Sequence, residues 1–180
     1  MKIYRYFFMS LVFLLQAASA IDLPTPPEGF SWQEIPELKA AFLKPAGWHF
    51  KREEQKGTLA YFITKENIEK TGEFQTGLTV NVFKNRKKSA VEQARDIVDR
   101  IAADKHGEKW GKDVGPFREF GCRTKDTDAS GTIIMQTLSV ANPKTNTLYL
   151  FIFESPESDW EKAWKIGEKI MDQLALDDAI

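Results

Sequence analysis

The stretch from Gly131 to Leu176, GTIIMQTLSVANPKTNTLYLFIFESPESDWEKAWKIGEKIMDQLAL, decides the fold of this chain. Thr132 to Ala141 is rich in β-branched and apolar residues, which predicts a strand. A turn containing proline and asparagine follows. The continuous apolar run from Thr147 to Glu154 predicts a central strand with both faces covered. Because a short loop joins the two runs, we expect an antiparallel hairpin.

A long amphipathic helix is predicted directly after this hairpin. Ser155 can cap a helix, and Pro156 suits the first helical position. Apolar residues then recur at helical spacing: Trp160, Ala163, Trp164, Gly167, Ile170, Met171 and Leu174. We interpret the two tryptophans as core anchors against the sheet, and a ligand platform is the alternative.

The first 20 residues have the pattern of a secretory signal peptide. Lys2 and Arg5 precede an apolar run from Tyr6 to Leu15, and Ala18-Ser19-Ala20 is a small-residue cleavage site. The run is short for a membrane span, and no later segment is long and apolar enough for one. We therefore predict a protein exported to the periplasm or secreted.

The charge balance, the length and the cysteine count exclude further classes of protein. Removal of the signal peptide leaves 23 of the 25 basic side chains against 26 acidic ones, which argues against a nucleic-acid binder. A mature chain of about 160 residues can bury roughly 70% of its unfolded surface, which is sufficient for one domain. Cys122 is the single cysteine, so no intrachain disulfide can form, and we expect a buried, unreactive thiol.

The rest of the chain supplies further strands and one more helix. Ser31 and Glu34 have the spacing of a capping box and predict a helical turn. Ser89 and Glu92 have the same spacing and predict a helix that ends near Gly107. Strands are predicted at 38–43, 48–53, 58–64, 77–84 and 117–125, and loops at 65–76 and 108–116. The residues KAAFL, at 39–43, could also form a helix.

This order of elements predicts an α+β fold. Most strands are joined by short turns, and no repeated βαβ alternation appears. We expect a single-domain α/β/α sandwich around a mainly antiparallel β-sheet. The predicted boundaries are a signal peptide at 1–20, an extended N-terminal segment at 21–37, the domain at 38–176 and a C-terminal tail at 177–180.

Two motifs resemble the PsbP-like family. FLKPAGWHFKRE resembles the strand, Pro-x-Gly-Trp, strand opening of that family, and TLYLFIFESPESDWEKAWKIGEKIMDQL resembles its strand, Ser/Ala-Pro-Glu-x-x-Trp, helix ending. The resemblance covers roughly Leu38 to Leu176 and implies an α/β/α sandwich around an antiparallel sheet. The family includes extrinsic subunits of the photosynthetic oxygen-evolving complex, is similar to exported bacterial proteins of the DcrB sort and is non-enzymatic as a rule. A photosynthetic role does not follow, because fold and function separate easily.

The sequence contains no catalytic or metal-binding pattern above background. His49 and Glu53 on one strand would lie about 13 Å apart, too far to chelate one ion unaided. His106 suits the negative end of a helix without a metal. No Gly-x-Ser-x-Gly nucleophile elbow occurs. We expect no catalytic residue, no metal and no cofactor, and a protein that is not an enzyme.

The strongest local charge cluster is a candidate binding site for an anionic partner. Lys84, Arg86, Lys87 and Lys88 lie just before a predicted helix start, where cations slightly oppose the helix dipole. A solvated loop is the simpler interpretation of this cluster, and contact with an acidic partner or an anionic lipid headgroup is the sharper hypothesis. We predict that Lys87→Glu with Lys88→Glu weakens partner binding without changing the melting temperature.

Together these patterns favour an exported, non-enzymatic PsbP-like protein that binds another envelope protein or helps to assemble it. The alternatives are a small-ligand carrier and an envelope enzyme with an unrecognised site. An apolar cavity would favour the carrier, convergent titratable groups in a deep pocket would favour the enzyme, and an exposed apolar patch would favour the binding module.

Overall fold

A computed structural model describes residues 23–55, 58–84, 87–129 and 131–179. The predicted signal peptide, residues 1–20, lies outside the described residues. Within the described chain we number the strands and helices in order: β1 (Phe30–Ile35), β2 (Ala40–Pro45), β3 (His49–Gln55), β4 (Thr58–Thr64), α1 (Ile68–Thr71), β5 (Gly77–Phe83), α2 (Ala90–Lys105), β6 (Glu108–Val114), β7 (Phe117–Asp128), β8 (Gly131–Asn142), β9 (Thr147–Pro156), α3 (Trp160–Asp172) and β10 (Ala175–Leu176).

A seven-stranded antiparallel sheet in the described residues forms the centre of the molecule. Its strand order is β3-β4-β5-β9-β8-β7-β6, so β9 occupies the middle position. β8 and β9 pair from Ile133↔Pro156 to Asn142↔Thr147. The predicted hairpin and the predicted central strand are therefore confirmed, and the apolar run of β9 is explained by its position.

Side chains alternate between two faces of this sheet, and each face is covered by a different layer. Leu78, Val80 and Phe151 lie on the face that packs against α3 and a small sheet of order β1-β2-β10. Cys122 and Leu148 lie on the opposite face, against α2. We call these the α3 face and the α2 face. The layering confirms the predicted α+β class.

Helix α2 begins and ends as predicted. The Ser89 side chain accepts a hydrogen bond from the backbone N–H of Glu92, which satisfies a free donor of the first turn. The helix ends at His106, which adopts a left-handed conformation with φ 52°. Small residues on its inner side, among them Ala94 and Ala102, let the helix approach the sheet closely.

The predicted start of the last helix is wrong by about one turn. Ser155 and Pro156 continue β9 and pair with Ile134 and Ile133. Ser155 is fully buried, and its hydroxyl accepts from Thr76 Oγ1 at 3.4 Å and donates to the Pro156 carbonyl at 3.3 Å. Strand pairing and burial therefore outweigh the capping preference, and α3 begins only after a single 3₁₀ turn at Glu157–Asp159.

Two further local predictions are wrong. Ser31 and Glu34 do not cap a helical turn, because they belong to β1 and pair with β2. The predicted loop 108–116 contains β6, which pairs along its whole length with β7. In both segments a ladder with a neighbouring strand overrides the local pattern. The predicted loop 65–76 also contains the single turn α1.

Candidate functional site

An open groove lies on the α3 face, between α3 and the three last strands at one end of the sheet. It exists because β6 and β7 extend beyond the part of the sheet that α3 covers. Its volume is about 330 Å³, within the range of small binding sites. The groove is lined by Trp110, Lys112, Val114, Glu119, Gln136, Leu138, Trp164, Glu168, Met171, Asp172 and Leu174.

Strand β6 forms the outer wall of the groove and is exposed along its whole length. Trp110 is 40% exposed and Val114 is 42% exposed, and they are the large hydrophobic residues most open to water in the described chain. Trp110 lies over Gly121 of β7, where a Cβ atom would overlap carbons of the indole ring. The glycine therefore lets the indole rest against the strand and present its other side to the groove.

Helix α3 forms the inner wall through Trp164. Its indole stacks on that of Trp160, with ring centroids 5.3 Å apart and an angle of 8° between the planes. The guanidinium carbon of Arg123 lies 5.2 Å from the Trp160 ring centroid and 4.9 Å from the Trp164 ring centroid. Both rings also meet Phe153 edge-on. These contacts hold Trp164 in a fixed position at the edge of the core.

Gln136 supplies a polar group on the floor of the groove. Its side-chain oxygen accepts a hydrogen bond from Arg123 Nε at 2.9 Å, while the residue is only 4% exposed. Within the described residues the amide nitrogen of Gln136 has no hydrogen-bond partner. The bond to Arg123 fixes the orientation of the amide, so the floor offers an oriented donor.

The α3 rim of the groove is acidic. Glu168 and Asp172 are four residues apart on α3, both exposed, and in the described part of the chain neither makes an ion pair. The basic side chain of the opposite wall, Lys112, is paired with Glu119 at 3.3 Å. The unpaired charge of the groove lining is therefore negative.

A second cavity of about 240 Å³ continues from the groove beneath β10. The two cavities share Val114, Glu119 and Leu174. The second cavity adds the apolar side chains of Phe117, at the start of β7, and of Leu176 in the small sheet. Together they form one trough along the edge of the α3 layer.

Known structures with a similar fold were found by structural comparison. No protein-family model and no curated protein matches the sequence. The solution structure of the cyanobacterial PsbP, CyanoP, from Synechocystis sp. PCC 6803 superposes with a TM-score of 0.54 at 10% identity, over 83% of this chain and 93% of that chain. The fold is PsbP-like. The crystal structure of LpqN, described as involved in cell envelope biogenesis of Mycobacterium tuberculosis, gives a TM-score of 0.50 at 8% identity over 77% of this chain and 83% of that chain.

The PsbP-like fold confirms the architecture that the two sequence motifs implied. Pro45 ends β2, and the turn that follows ends at Trp48, half-buried against the main core. In this structure the Pro-x-Gly-Trp motif is therefore a turn that ends at a core-packed tryptophan. At these identities the likeness concerns the fold alone.

The predicted basic cluster belongs to a different part of the PsbP-like fold. Lys84, Lys87 and Lys88 are exposed between β5 and α2, in the layer on the other face of the sheet, whereas Arg86 lies outside the described residues. Lys88 pairs with Asp96 at 3.4 Å, and its carbonyl accepts from Gln93 and Asn146 side chains. No contact tests whether this cluster binds an anionic partner, and it stays a prediction.

The predicted burial of the cysteine is confirmed. Cys122 is fully buried beneath α2, and burial raises the pKa of its thiol although a hydrogen bond with Thr137 opposes the shift. Among the described residues, no three His, Cys, Asp or Glu side chains converge as a metal site. The helices of the described chain are all too short or too polar to cross a membrane.

Sequence reasoning missed the groove because it placed Trp110 in a loop. Trp110 and Val114, which share one face of a strand, were the only apolar signal in this segment, and Gly111 and four charged residues outweighed it. Trp160 is the predicted core anchor, at 5% exposure. Trp164 has a mixed role, since it packs on the core and also lines the groove.

Proposed function

We propose that this chain is a non-enzymatic binding module of the cell envelope that docks another protein in the groove between β6 and α3. The main support for this proposal is the pair of exposed apolar residues, Trp110 and Val114, on the β6 wall of the groove. The indole of Trp110 packs against Gly121 of β7. Exposed apolar patches of this kind are typical of interaction surfaces. Tryptophan is also the residue type most enriched at binding hot spots.

Two further features support an envelope location. The first 20 residues have the pattern of a secretory signal peptide. LpqN, which has a similar fold, is described as involved in cell envelope biogenesis. We propose that this chain acts in the same compartment, after export.

Affinity capture from the native cell envelope tests this function. Mature tagged protein is compared with the double variant Trp110→Ala, Val114→Ala and with the double variant Lys87→Glu, Lys88→Glu. We expect a reproducible partner that the groove variant loses and the basic-cluster variant keeps, at unchanged melting temperatures. Loss with the basic-cluster variant alone would move the docking surface to the α2 layer.

A small-ligand carrier is the second candidate, and one observation favours it. The groove continues into the second cavity, so that the trough extends beneath β10 past Phe117 and Leu176. Native mass spectrometry of protein purified from its own envelope would detect a retained ligand. A ligand of constant mass that the variant Leu176→Trp excludes would establish the carrier in place of the binding module.

A further inference from the structure

We infer that the groove recognises a peptide segment of the partner that places a basic side chain next to a bulky apolar one. This inference rests on the proposed function and adds the chemistry of the segment. It is carried by three features of the groove: two aromatic walls, an unpaired acidic rim and an oriented amide donor on the floor.

The apolar side chain of the segment fits between the two walls. Trp110 on β6 and Trp164 on α3 both line the groove, and Leu138 and Met171 lie between them. Each indole is held from behind, Trp110 by Gly121 and Trp164 by Trp160. Walls that are already fixed lose little conformational freedom on binding, which favours an aliphatic or aromatic guest.

The basic side chain of the segment is selected by the α3 rim. Glu168 and Asp172 have no ion-pair partner in the described chain, whereas Lys112 is already paired with Glu119. Lys169, which follows Glu168, lies over the ring of Phe30 and away from the groove. Arg123 is engaged by Gln136 and by the indole rings of α3. These three cations are therefore engaged, whereas neither rim carboxylate makes an ion pair within the described residues, so both can bind a guest cation.

Gln136 favours a peptide as the guest. The amide nitrogen of Gln136 has no protein acceptor within the described residues, so a bound ligand can accept a hydrogen bond from it. A peptide backbone presents a carbonyl acceptor at every residue, in addition to its side chains. A hydrocarbon chain has no acceptor for this amide.

A titration followed by nuclear magnetic resonance tests the inference on the full mature chain. The probes are acetyl-Leu-Arg-Leu-amide, acetyl-Leu-Gln-Leu-amide and acetyl-Leu-Glu-Leu-amide, with cellotriose as a neutral oligosaccharide. We expect saturable shifts of the indole N–H signals of Trp110 and Trp164 and of the Gln136 amide. The indole of Trp32, which donates to the Pro24 carbonyl, and that of Trp48 serve as internal controls because they lie outside the groove.

The relative affinities of the tripeptide probes show whether the groove selects a basic side chain. The arginine probe should bind on the order of fivefold more tightly than the glutamine probe, and more weakly as salt is added. The variant Glu168→Gln, Asp172→Asn should abolish this preference. The matched control Glu161→Gln, on the same helix outside the groove lining, should keep it.

Four outcomes would overturn the inference. These are equal or tighter binding of the glutamate probe, shifts confined to Trp32 or Trp48, tighter binding of cellotriose, and no saturable shift with any probe. If capture through the groove still succeeds, the proposed function survives and only the peptide chemistry is wrong. If both fail, the proposed function fails as well.

Discussion

Trp110 and Gly121 occupy opposite positions in the β6–β7 ladder, and the indole covers the glycine. A methyl group at position 121 would overlap the indole, so the two residues depend on each other. Glycine is otherwise unfavourable inside a strand. Its presence in β7 is explained by the position that it allows the tryptophan to take.

A double-mutant cycle measures this dependence. Gly121→Ala should displace the indole, destroy binding in the groove and lower the free energy of unfolding by about 1–3 kcal/mol. In the background Trp110→Ala the same change should be neutral or stabilising, because alanine suits a strand better than glycine. Chemical denaturation of the four proteins gives the coupling. Equal costs in both backgrounds would show that the indole does not lie over Gly121.

Glu37 links the segment between β1 and β2 to the large sheet. Its carboxylate accepts from Arg52 Nε at 3.0 Å and from the Tyr61 hydroxyl at 3.1 Å. Burial raises the pKa of this carboxyl, but hydrogen bonds from its own backbone, from Arg52 and from Tyr61 outweigh burial and lower the pKa below 4.5. Burial and the charge of Glu37 also raise the pKa of Tyr61 to about 12.

We predict that Glu37→Gln destabilises the protein only while the carboxylate is ionised. Because the folded-state pKa is lowered, the stabilisation is present above pH 4.5 and is lost as pH falls through the folded-state pKa. The side chain is 42% exposed, so the effect should be at most about 1 kcal/mol, or about 2–4 °C in melting temperature. Thermal melts between pH 3 and 7, about the range of carboxylate titration, check it. A difference that persists at the lowest pH would contradict the prediction.

We predict the opposite pH dependence of stability for Glu154. It lies in β9 between Gly77 and Met135 of the neighbouring strands, and burial raises its pKa above 4.5. A raised pKa means that stability is complete below 4.5 and falls as pH rises through the folded-state pKa. Glu154→Gln should therefore raise the melting temperature by a few degrees, about 2–4 °C per kcal/mol, at neutral pH and not in acid. A lower melting temperature at neutral pH would show that the carboxylate has a stabilising partner.

At the scale of elements, α3 approaches the sheet closely because of Gly167. A Cβ atom there would lie 2.8 Å from the ring of Phe153, which is fully buried. The same ring meets both tryptophans of α3. The helix that forms the inner wall of the groove is therefore positioned by one small residue against one large one.

Gly167→Ala should destabilise the protein although alanine favours helices by about 1 kcal/mol. Overpacking costs about 1–3 kcal/mol, so we expect a net loss of order 1 kcal/mol and a shift of Trp164. Denaturation and the indole N–H shift of Trp164 report these two effects. The control Glu161→Ala, on the exposed side of α3, should leave both nearly unchanged. A stabilised Gly167→Ala protein would show that α3 can move away from Phe153 at no cost.

Strand β6, the outer wall of the groove, could not be predicted from the sequence. Its residues EKWGKDV mix charges, a glycine and two apolar residues, and all of them are exposed. Nothing is buried that could impose a regular pattern. The strand forms because β7 supplies a continuous ladder, and charged residues such as Lys109, paired with Asp99, suit a sheet edge.

At the scale of the whole molecule, sequence reasoning succeeded where burial imposes a period. The strands β9 and β4 were predicted because apolar residues dominate them, and the helix α2 was predicted from the capping box at its start. The small sheet was missed because β10 has two residues and pairs with β2, more than 130 positions earlier in the chain. Such long-range pairing leaves no local signal.

The groove is likewise a property of the assembled layers. It arises because the seven strands are wider than the helix and small sheet that cover the α3 face. Its residues come from the consecutive strands β6, β7 and β8 and, beyond the intervening β9, from α3 and Leu174. We propose that this uncovered end of the α3 face is where another protein docks.

Site-specific photo-crosslinking in the native envelope tests that claim most directly. A photoreactive phenylalanine replaces Lys112 on the groove wall in one protein and Glu54 on the opposite sheet edge in the other, both of them exposed positions. We predict one crosslinked partner from position 112, lost with Trp110→Ala, and none from position 54. A partner crosslinked equally from both positions, or from position 54 alone, would show that the groove is not the docking site.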